Sequence, residues 1–148
     1  MTDQEIAEKA ATRFNEGYNC AESVALAFQE AWGDREEIFP RMASAFGGGI
    51  GRQGSVCGAL IGGLLALNLK HGRRSLADEK LPLYNLAAEF YRRFEETAGS
   101  TLCRELTGCD LTTEAGRRKF KEEKIHETRC SGLVSESCLI LNRLLAEN

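Results

Sequence analysis

The segment from Ser55 to about Lys70 restricts the possible folds most, because it is apolar on nearly every side when drawn as a helix. Its most apolar part, Val56 to Leu69, is 14 residues long and contains three glycines. A membrane-spanning helix needs about 20 apolar residues, so this segment is too short to cross a bilayer. A helix without a polar face must instead be covered by other helices. The segment therefore predicts a central helix in a bundle.

The rest of the 148-residue chain shows apolar residues at helical spacing, with no alternating pattern that would indicate a strand. Thr2 followed by Glu5, and Asn19 followed by Glu22, are typical of helix starts. Glycines and prolines mark further boundaries. Helices are predicted over residues 2–16, 19–32, 55–70, 82–98, 112–125 and 133–145, with short helical turns over 40–46 and 101–107. The chain is thus predicted to form one all-α domain, residues 1–148, a bundle of five to seven helices.

Charge and composition exclude several functions. Nineteen basic and 22 acidic side chains give a net charge of −3, so there is no basic excess to attract nucleic acid. The first thirteen residues lack the features of a secretory signal, and we expect a cytoplasmic protein without membrane insertion. Cysteines in that compartment are more often core residues, metal ligands or redox groups than disulfides. An exposed apolar helix face would allow a homodimer, although no heptad pattern demands one.

Four of the six cysteines share a local context: each lies in, or just before, the first turn of a predicted helix. They are Cys20, Cys57, Cys103 and Cys130. The free amides and the helix dipole at such positions stabilise a thiolate. Thiolates bind soft metals or attack disulfides and peroxides. No two cysteines form a C-x-x-C pair, which excludes thioredoxin-type, zinc-ribbon and c-type haem motifs.

The remaining cysteines and the histidines are given structural roles. Cys138 lies on the apolar face of the last predicted helix, and Cys109 stands alone, so both are predicted to fill core space. His71 and His126 are isolated in sequence and are predicted to be solvated or helix-end residues rather than ligands or bases.

A glycine-rich loop precedes the central helix. Gly49, Gly51 and Gly54 fit G-x-G-x-x-G, but no strand precedes them and the position about twenty residues on is basic, so a dinucleotide site is not predicted. The loop is either a flexible connector or a segment whose backbone approaches a ligand or the cysteines. In the second case Arg52 would add positive charge beside Cys57.

Three glycines inside the central helix, Gly58, Gly62 and Gly63, predict close packing, because each costs about 1 kcal/mol relative to alanine. Another helix or a bound group is expected to approach this face. Gly58 follows Cys57 directly and is expected to clear space next to its sulfur.

Four blocks of the sequence together resemble the C_GCAxxG_C_C family of redox-active proteins. They are YNCAE (residues 18–22), FGGGIGRQGSVCGALIGG (46–63), GSTLCRELTG (99–108) and Cys130 ahead of the last helix. The resemblance extends from about Ala11 to Leu145, although residue 56 is valine, so that the chain reads C-G-A-x-x-G rather than G-C-A. The four cysteines of the family correspond to Cys20, Cys57, Cys103 and Cys130.

The resemblance implies a small helical protein with a redox function. A related domain is similar to part of the split-Soret cytochromes, which carry haems and an iron–sulfur centre. The chain has no C-x-x-C-H motif, so covalent haem is not expected, whereas four thiolates are the right number for a [2Fe–2S] cluster.

Three hypotheses remain open. In the first, Cys20, Cys57, Cys103 and Cys130 bind zinc or a [2Fe–2S] cluster, and all four sulfurs lie in one small site. In the second, no metal is present, Cys57 attacks a substrate, and a neighbouring cysteine forms the disulfide. In the third, the chain is a non-enzymatic domain that binds a small ligand or protein, and its sulfurs are scattered and buried. A redox role with an unknown redox partner is the prediction, with Gly49, Gly51, Arg52, Gly54 and Gly58 as the cofactor- or ligand-binding residues.

Overall fold

A computed structural model describes residues 1–148 and is all-α, as predicted. It contains seven α-helices, a 3₁₀ helix between the second and third, and a π-helical turn before the last. The α-helices are α1 (Asp3–Glu16), α2 (Cys20–Ala31), α3 (Gly58–His71), α4 (Leu81–Ala98), α5 (Cys103–Thr107), α6 (Glu114–Glu122) and α7 (Ser131–Ala146). The 3₁₀ helix is Arg41–Phe46 and the π-helical turn is His126–Cys130.

Helix α3 is the central apolar helix that the sequence predicts. It packs against α2, α4 and α7, while α1 covers the other side of α2 and α7. Gly62 and Gly63 permit these contacts: a Cβ atom on Gly62 would lie 2.6 Å from the carbonyl oxygen of Ala21, and one on Gly63 would lie 2.4 Å from the ring of Phe90. The predicted packing reason for these glycines is confirmed. None of the helices combines the length and apolar character needed to cross a membrane.

Two helix starts form as the sequence indicates. The Thr2 hydroxyl accepts a hydrogen bond from the amide of Glu5 (3.1 Å) and begins α1. At α2, the Asn19 side chain accepts from the amide of Glu22 and the Glu22 carboxylate accepts from the amide of Asn19, both at 2.9 Å. These reciprocal bonds satisfy amides that the helix leaves unpaired and fix where α2 begins.

The predicted start of the central helix is wrong by three residues. Helix α3 begins at Gly58 rather than Ser55, because Val56 forms an antiparallel β-bridge with Leu102. Long-range pairing of this kind competes with local helix formation and is not visible in residue spacing.

The segment before α7 also differs from prediction. The π-helical turn runs directly into α7, and the amide of Ser131 donates to the carbonyl of His126. Cys130 therefore lies inside a continuous helical segment and not at a free helix start, which corrects the sequence prediction for this residue.

Candidate functional site

One cavity of about 560 Å³ brings together the four cysteines that the sequence singles out. It lies between the start of α2, the glycine-rich loop, α5 and the π-helical turn. Of the residues predicted for the site, those that line it are Cys20, Cys57, Cys103, Cys130, Gly49, Gly51, Arg52 and Gly58. The scattered arrangement expected of a purely structural cysteine set is not observed.

A short backbone pairing holds Cys57 and Cys103 side by side. The amide of Cys57 donates to the carbonyl of Thr101, and the amide of Cys103 donates to the carbonyl of Ser55, each at 2.7 Å. These bonds flank the Val56–Leu102 bridge. The starts of α3 and α5 are thereby joined, and both cysteines face the cavity although 46 positions separate them.

The start of α2 is tied to the 3₁₀ helix, and this positions Cys20. The Asn19 side-chain amide donates to the carbonyl of Ser44 (3.0 Å), and the Ser44 hydroxyl donates to the carboxylate of Glu22 (2.7 Å). Cys20 is the first residue of α2 and is half-buried, whereas the other five cysteines are buried.

The glycine-rich loop runs against the cysteines with an unusual backbone. All five residues from Gly48 to Arg52 have φ between 54° and 68°, the left-handed region. A Cβ atom on Gly49 would lie 2.6 Å from Cβ of Cys103, and one on Gly58 would lie 2.9 Å from Cβ of Cys20. The backbone of the loop therefore approaches Cys103 closely. Gly58 clears space beside Cys20 as well as following Cys57.

Gly54 is the one predicted site residue that does not line the cavity. Its carbonyl accepts from the backbone amide of Arg104 (3.1 Å) and from the Arg104 side-chain Nε (3.2 Å). A Cβ atom there would lie 3.0 Å from Cβ of Arg104. Gly54 therefore anchors the end of the loop to α5.

Cys20 and Cys130 each change the pKa of the other more than any other group does. Hydrogen bonding from the Cys20 thiol lowers the pKa of Cys130, with a further contribution from the positive charge of Arg129. The same interaction raises the pKa of Cys20 well above its ordinary value, and burial acts in the same direction. The pKa of Cys130 thus lies below the ordinary cysteine value and that of Cys20 above it.

The pKa values of Cys57 and Cys103 are higher than that of free cysteine. Burial raises the pKa of Cys57, although the amides of Ala59 and Leu60 at the start of α3 oppose it. Burial, together with repulsion from Cys57 and Cys130, raises the pKa of Cys103 to about 12. The expectation that helix starts would lower cysteine pKa values therefore fails here, because burial outweighs the helix amides. The lowered pKa belongs to Cys130, which has no free helix start.

Arg129 is a charged residue that the sequence reasoning passed over. Its guanidinium donates to the carbonyls of Leu106 (3.2 Å) and Ala98 (2.9 Å), near the carboxyl ends of α5 and α4. It forms no ion pair with a carboxylate, so its charge acts on the neighbouring sulfurs. No spacing pattern would have indicated this role, because it depends on two helix ends meeting the π-helical turn.

His126, predicted to be a solvated or helix-end residue, is the first residue of the π-helical turn and also lines the cavity. Its ring is half-buried and stacks on Phe14 with ring centroids 3.8 Å apart and planes 6° apart. The contact joins α1 to the π-helical turn. His71 lies exposed at the end of α3, as expected.

The two remaining cysteines are buried, as predicted. Cys138 is fully buried in the main core, and burial alone raises its pKa to about 12. Cys109 packs in a small cluster with Cys103 and Leu111, and burial is the main cause of its raised pKa. Neither of the two lines the cavity.

Single-ion coordination is not preassembled at the cavity: no three side chains of histidine, cysteine, aspartate or glutamate are arranged around a common metal position. A closed zinc site would need four sulfurs about 2.3 Å from one ion, so the cysteine side chains would have to rearrange. A [2Fe–2S] cluster instead requires two pairs of sulfurs, because each of its two irons binds only two thiolates.

Fold and site thus define a small all-α protein with a four-cysteine cavity. The family model described as "Putative redox-active protein (C_GCAxxG_C_C)" matches residues 18–144, and the chain belongs to that family. An uncharacterized protein of Archaeoglobus fulgidus is 36% identical over 133 residues, covering 80% of this chain and 87% of the relative. No solved structure matches the chain.

Proposed function

We propose that the chain is a thiol–disulfide redox protein in which Cys20 and Cys130 form the reactive pair. The observation that supports this most directly is that both thiols line one cavity. The lowered pKa of Cys130, caused mainly by its interaction with Cys20, favours a thiolate there. A thiolate is the species that attacks disulfides, and a neighbouring thiol is needed to complete the exchange. This assignment gives Cys130 the attacking role that the sequence analysis gave to Cys57.

The exchange has two steps. The Cys130 thiolate attacks one sulfur of a substrate disulfide, RSSR, forms a mixed disulfide and releases one thiolate, RS⁻. The Cys20 thiol then gives its proton to a leaving thiolate, attacks Sγ of Cys130 and displaces the second RS group. The products are a Cys20–Cys130 disulfide, RS⁻ and RSH. The substrate gains two electrons, the protein loses two, and an external thiol reductant restores the dithiol.

A [2Fe–2S] cluster at the same cavity is the second candidate, favoured because Cys20, Cys57, Cys103 and Cys130 all line it. Four thiolates are the donor set that such a cluster requires, and the donors present here fit it. When bound, the cluster would supply one-electron transfer. The glycine-rich loop, which passes against Cys103, would then limit the access of water to the sulfurs.

Purification without oxygen separates the two candidates. Iron and acid-labile sulfide in stoichiometric amounts, with visible absorption, would establish the cluster. A metal-free protein that loses two titratable thiols on oxidation, with a Cys20–Cys130 disulfide found by peptide mass spectrometry, would establish the dithiol.

Matched alanine variants provide the control. Cys20→Ala and Cys130→Ala should abolish the loss of two thiols, whereas Cys138→Ala should retain it, because Cys138 lies in the core away from the cavity. Unchanged oxidation in the Cys130→Ala protein would rule out the proposed pair.

A further inference from the structure

The cavity contains no acidic side chain. Among its lining residues Arg52 is the only one with a permanent charge, and neither aspartate nor glutamate is present. This is unexpected from composition, because acidic side chains outnumber basic ones by 22 to 19 in the chain. Apart from the proposed Cys130 thiolate, the lining therefore carries no negative charge, and Arg52 would attract an anion.

Among the carboxylates that adjoin lining residues, those of Glu22 and Glu127 are directed to other groups. Glu22 accepts hydrogen bonds from the amide of Asn19 and the hydroxyl of Ser44. A Glu127 oxygen lies 3.7 Å from Nδ1 of His126. Neither glutamate lines the cavity, so neither cancels the positive charge of Arg52 within it.

The backbone of Arg52 is fixed while its guanidinium is free. Its φ is 66°, and a Cβ atom on Gly48 would lie 2.9 Å from Cα of Arg52, so the loop is closely packed at this point. The side chain is exposed and forms no ion pair or hydrogen bond within the chain. The charge is therefore held at the cavity rim without a partner.

Backbone donors accompany this charge. The amides of three consecutive lining glycines, Gly47, Gly48 and Gly49, donate no hydrogen bond within the protein, whereas the amides of residues 50–55 all do. Successive amides in turns with left-handed residues form concave sites for anions. The loop thus supplies unpaired donors beside a free cation.

The other wall of the cavity is apolar. The large apolar side chains that form it are Phe14, Leu106, Leu111, Phe120 and Leu133. A ligand that uses the whole cavity would combine a hydrocarbon segment with an anionic group, and its reactive atom would lie near the sulfurs.

We infer that the substrate is a small aliphatic disulfide that carries carboxylate groups. Its carboxylate binds Arg52 and the Gly47–Gly49 amides, and its hydrocarbon segment lies on the apolar wall. The inference rests on the proposed function, because it names the substrate class of the same thiol pair.

Three disulfides of similar size and different charge test the inference: 3,3′-dithiodipropionate, which is a dianion, 2-hydroxyethyl disulfide, which is neutral, and cystamine, which is a dication. Their thiols differ in intrinsic reactivity, so the measured quantity is the ratio of variant to wild-type rate for each disulfide. At low salt, R52Q should slow reduction of the dianion about threefold and speed that of the dication about threefold, with the neutral disulfide unchanged. Arg52→Lys should restore the wild-type pattern.

R73Q is the matched control, because Arg73 is exposed in the loop after α3 and does not line the cavity. It should change none of the three rates. If R52Q changes the three rates by one common factor, or changes none, the inference is wrong.

A binding measurement keeps the inference separate from the proposed function. Suberate matches the length of 3,3′-dithiodipropionate but has no sulfur, so it binds without reacting. It should shift the amide NMR signals of Gly47 to Gly49 in wild type and less so in R52Q, while neutral 1,8-octanediol should not. Unshifted glycine amides would overturn the inference whatever the rates. If none of the disulfides reacts while suberate still binds, the proposed function fails and the anion site stands.

Discussion

The helical core and the cavity end of the molecule both depend on glycine, but the space that glycine provides is used differently. In the core, Gly62 and Gly63 lie where a Cβ atom would meet the Ala21 carbonyl or the Phe90 ring, and the gap is filled by the neighbouring helix. At the cavity end, Gly49 and Gly58 lie against Cβ of Cys103 and Cys20, and open volume remains beyond the sulfurs. The same residue type thus gives close packing in one region and access to thiols in the other.

The largest expected effect separates two cysteines on one helical segment, Cys130 at the cavity and Cys138 in the core. Cys130→Ala should reduce the rate of disulfide reduction roughly a hundredfold or more, because alanine offers no sulfur for attack. The Cys20→Ala/Cys130→Ala double variant should be no slower than the slower single variant, since the two thiols act as one unit. Stopped-flow measurement of thiol release would show this, and Cys138→Ala should react at the wild-type rate. Similar losses of rate in Cys130→Ala and Cys138→Ala would show that the two cysteines do not differ in function.

The glycine-rich loop offers the next comparison, between Gly49 and Gly51. Both have positive φ, but a Cβ atom on Gly49 would meet Cys103 and the Ser55 backbone, while one on Gly51 meets nothing within 4 Å. Gly49→Ala should destabilise the fold by about 2–4 kcal/mol, combining left-handed strain with overpacking. Gly51→Ala should cost only about 1–2 kcal/mol from strain. Urea unfolding measures both, and equal losses would show that the cysteine contact contributes nothing.

On the helices, the buried Gly62 and the exposed Gly132 provide the matching pair. Gly62→Ala should destabilise the fold by about 1–3 kcal/mol, because the nearest group is the Ala21 carbonyl, which is backbone and cannot move aside. Gly132 has open space around its Cβ position, so Gly132→Ala should stabilise by up to about 1 kcal/mol through helix propensity. The midpoint temperature of thermal unfolding should therefore fall for Gly62→Ala and rise for Gly132→Ala. A stabilised Gly62→Ala protein would contradict the close packing of α2 on α3.

A smaller effect is expected where the cavity end is joined to the 3₁₀ helix. Asn19→Ala should cost about 1 kcal/mol of stability through loss of the helix cap. It also removes the bond to the Ser44 carbonyl, so the reaction rate of Cys20 with a neutral alkylating reagent should rise. Thr2→Ala, which removes the cap of α1 far from the cavity, should lower stability without changing that rate.

The smallest effect concerns pH. A lowered pKa means that the Cys130 thiolate forms at lower pH, so the exchange rate should rise with pH and level off below the ordinary cysteine value of about 8.5. Arg129 favours the thiolate and Glu127 disfavours it. Arg129→Met should therefore move the midpoint up, and Glu127→Gln should move it down, each by about half a pH unit at low salt. Midpoints that move in the same direction would disprove this charge assignment.

The helices and the four cysteines that line the cavity could be predicted from the sequence, because both depend on local rules. The Asn19–Glu22 cap and the apolar character of residues 55–70 are properties of short segments. The start of α3 was missed because Val56 pairs with Leu102, a contact between distant parts of the chain.

The electrostatics of the site could not be predicted in the same way. Helix-start placement suggested that all four cysteines would be acidic, but burial reverses this at Cys57 and Cys103. The role of Arg129 depends on where α4 and α5 end in space. Charge environments of buried groups follow from tertiary structure, which no spacing pattern contains.

The π-helical turn at residues 126–130 has a consequence for insertions and deletions. Each residue of an α-helix advances the side-chain direction by about 100°, and a π-helical turn accommodates one residue more than a regular turn. Deleting one residue there would restore a uniform helix and rotate His126 relative to Cys138 by that angle. With Cys138 retained in the core, the stacking on Phe14 would be lost. The length of this segment therefore fixes the angle between the side chains that face the cavity, such as His126, and those that face the core, such as Cys138.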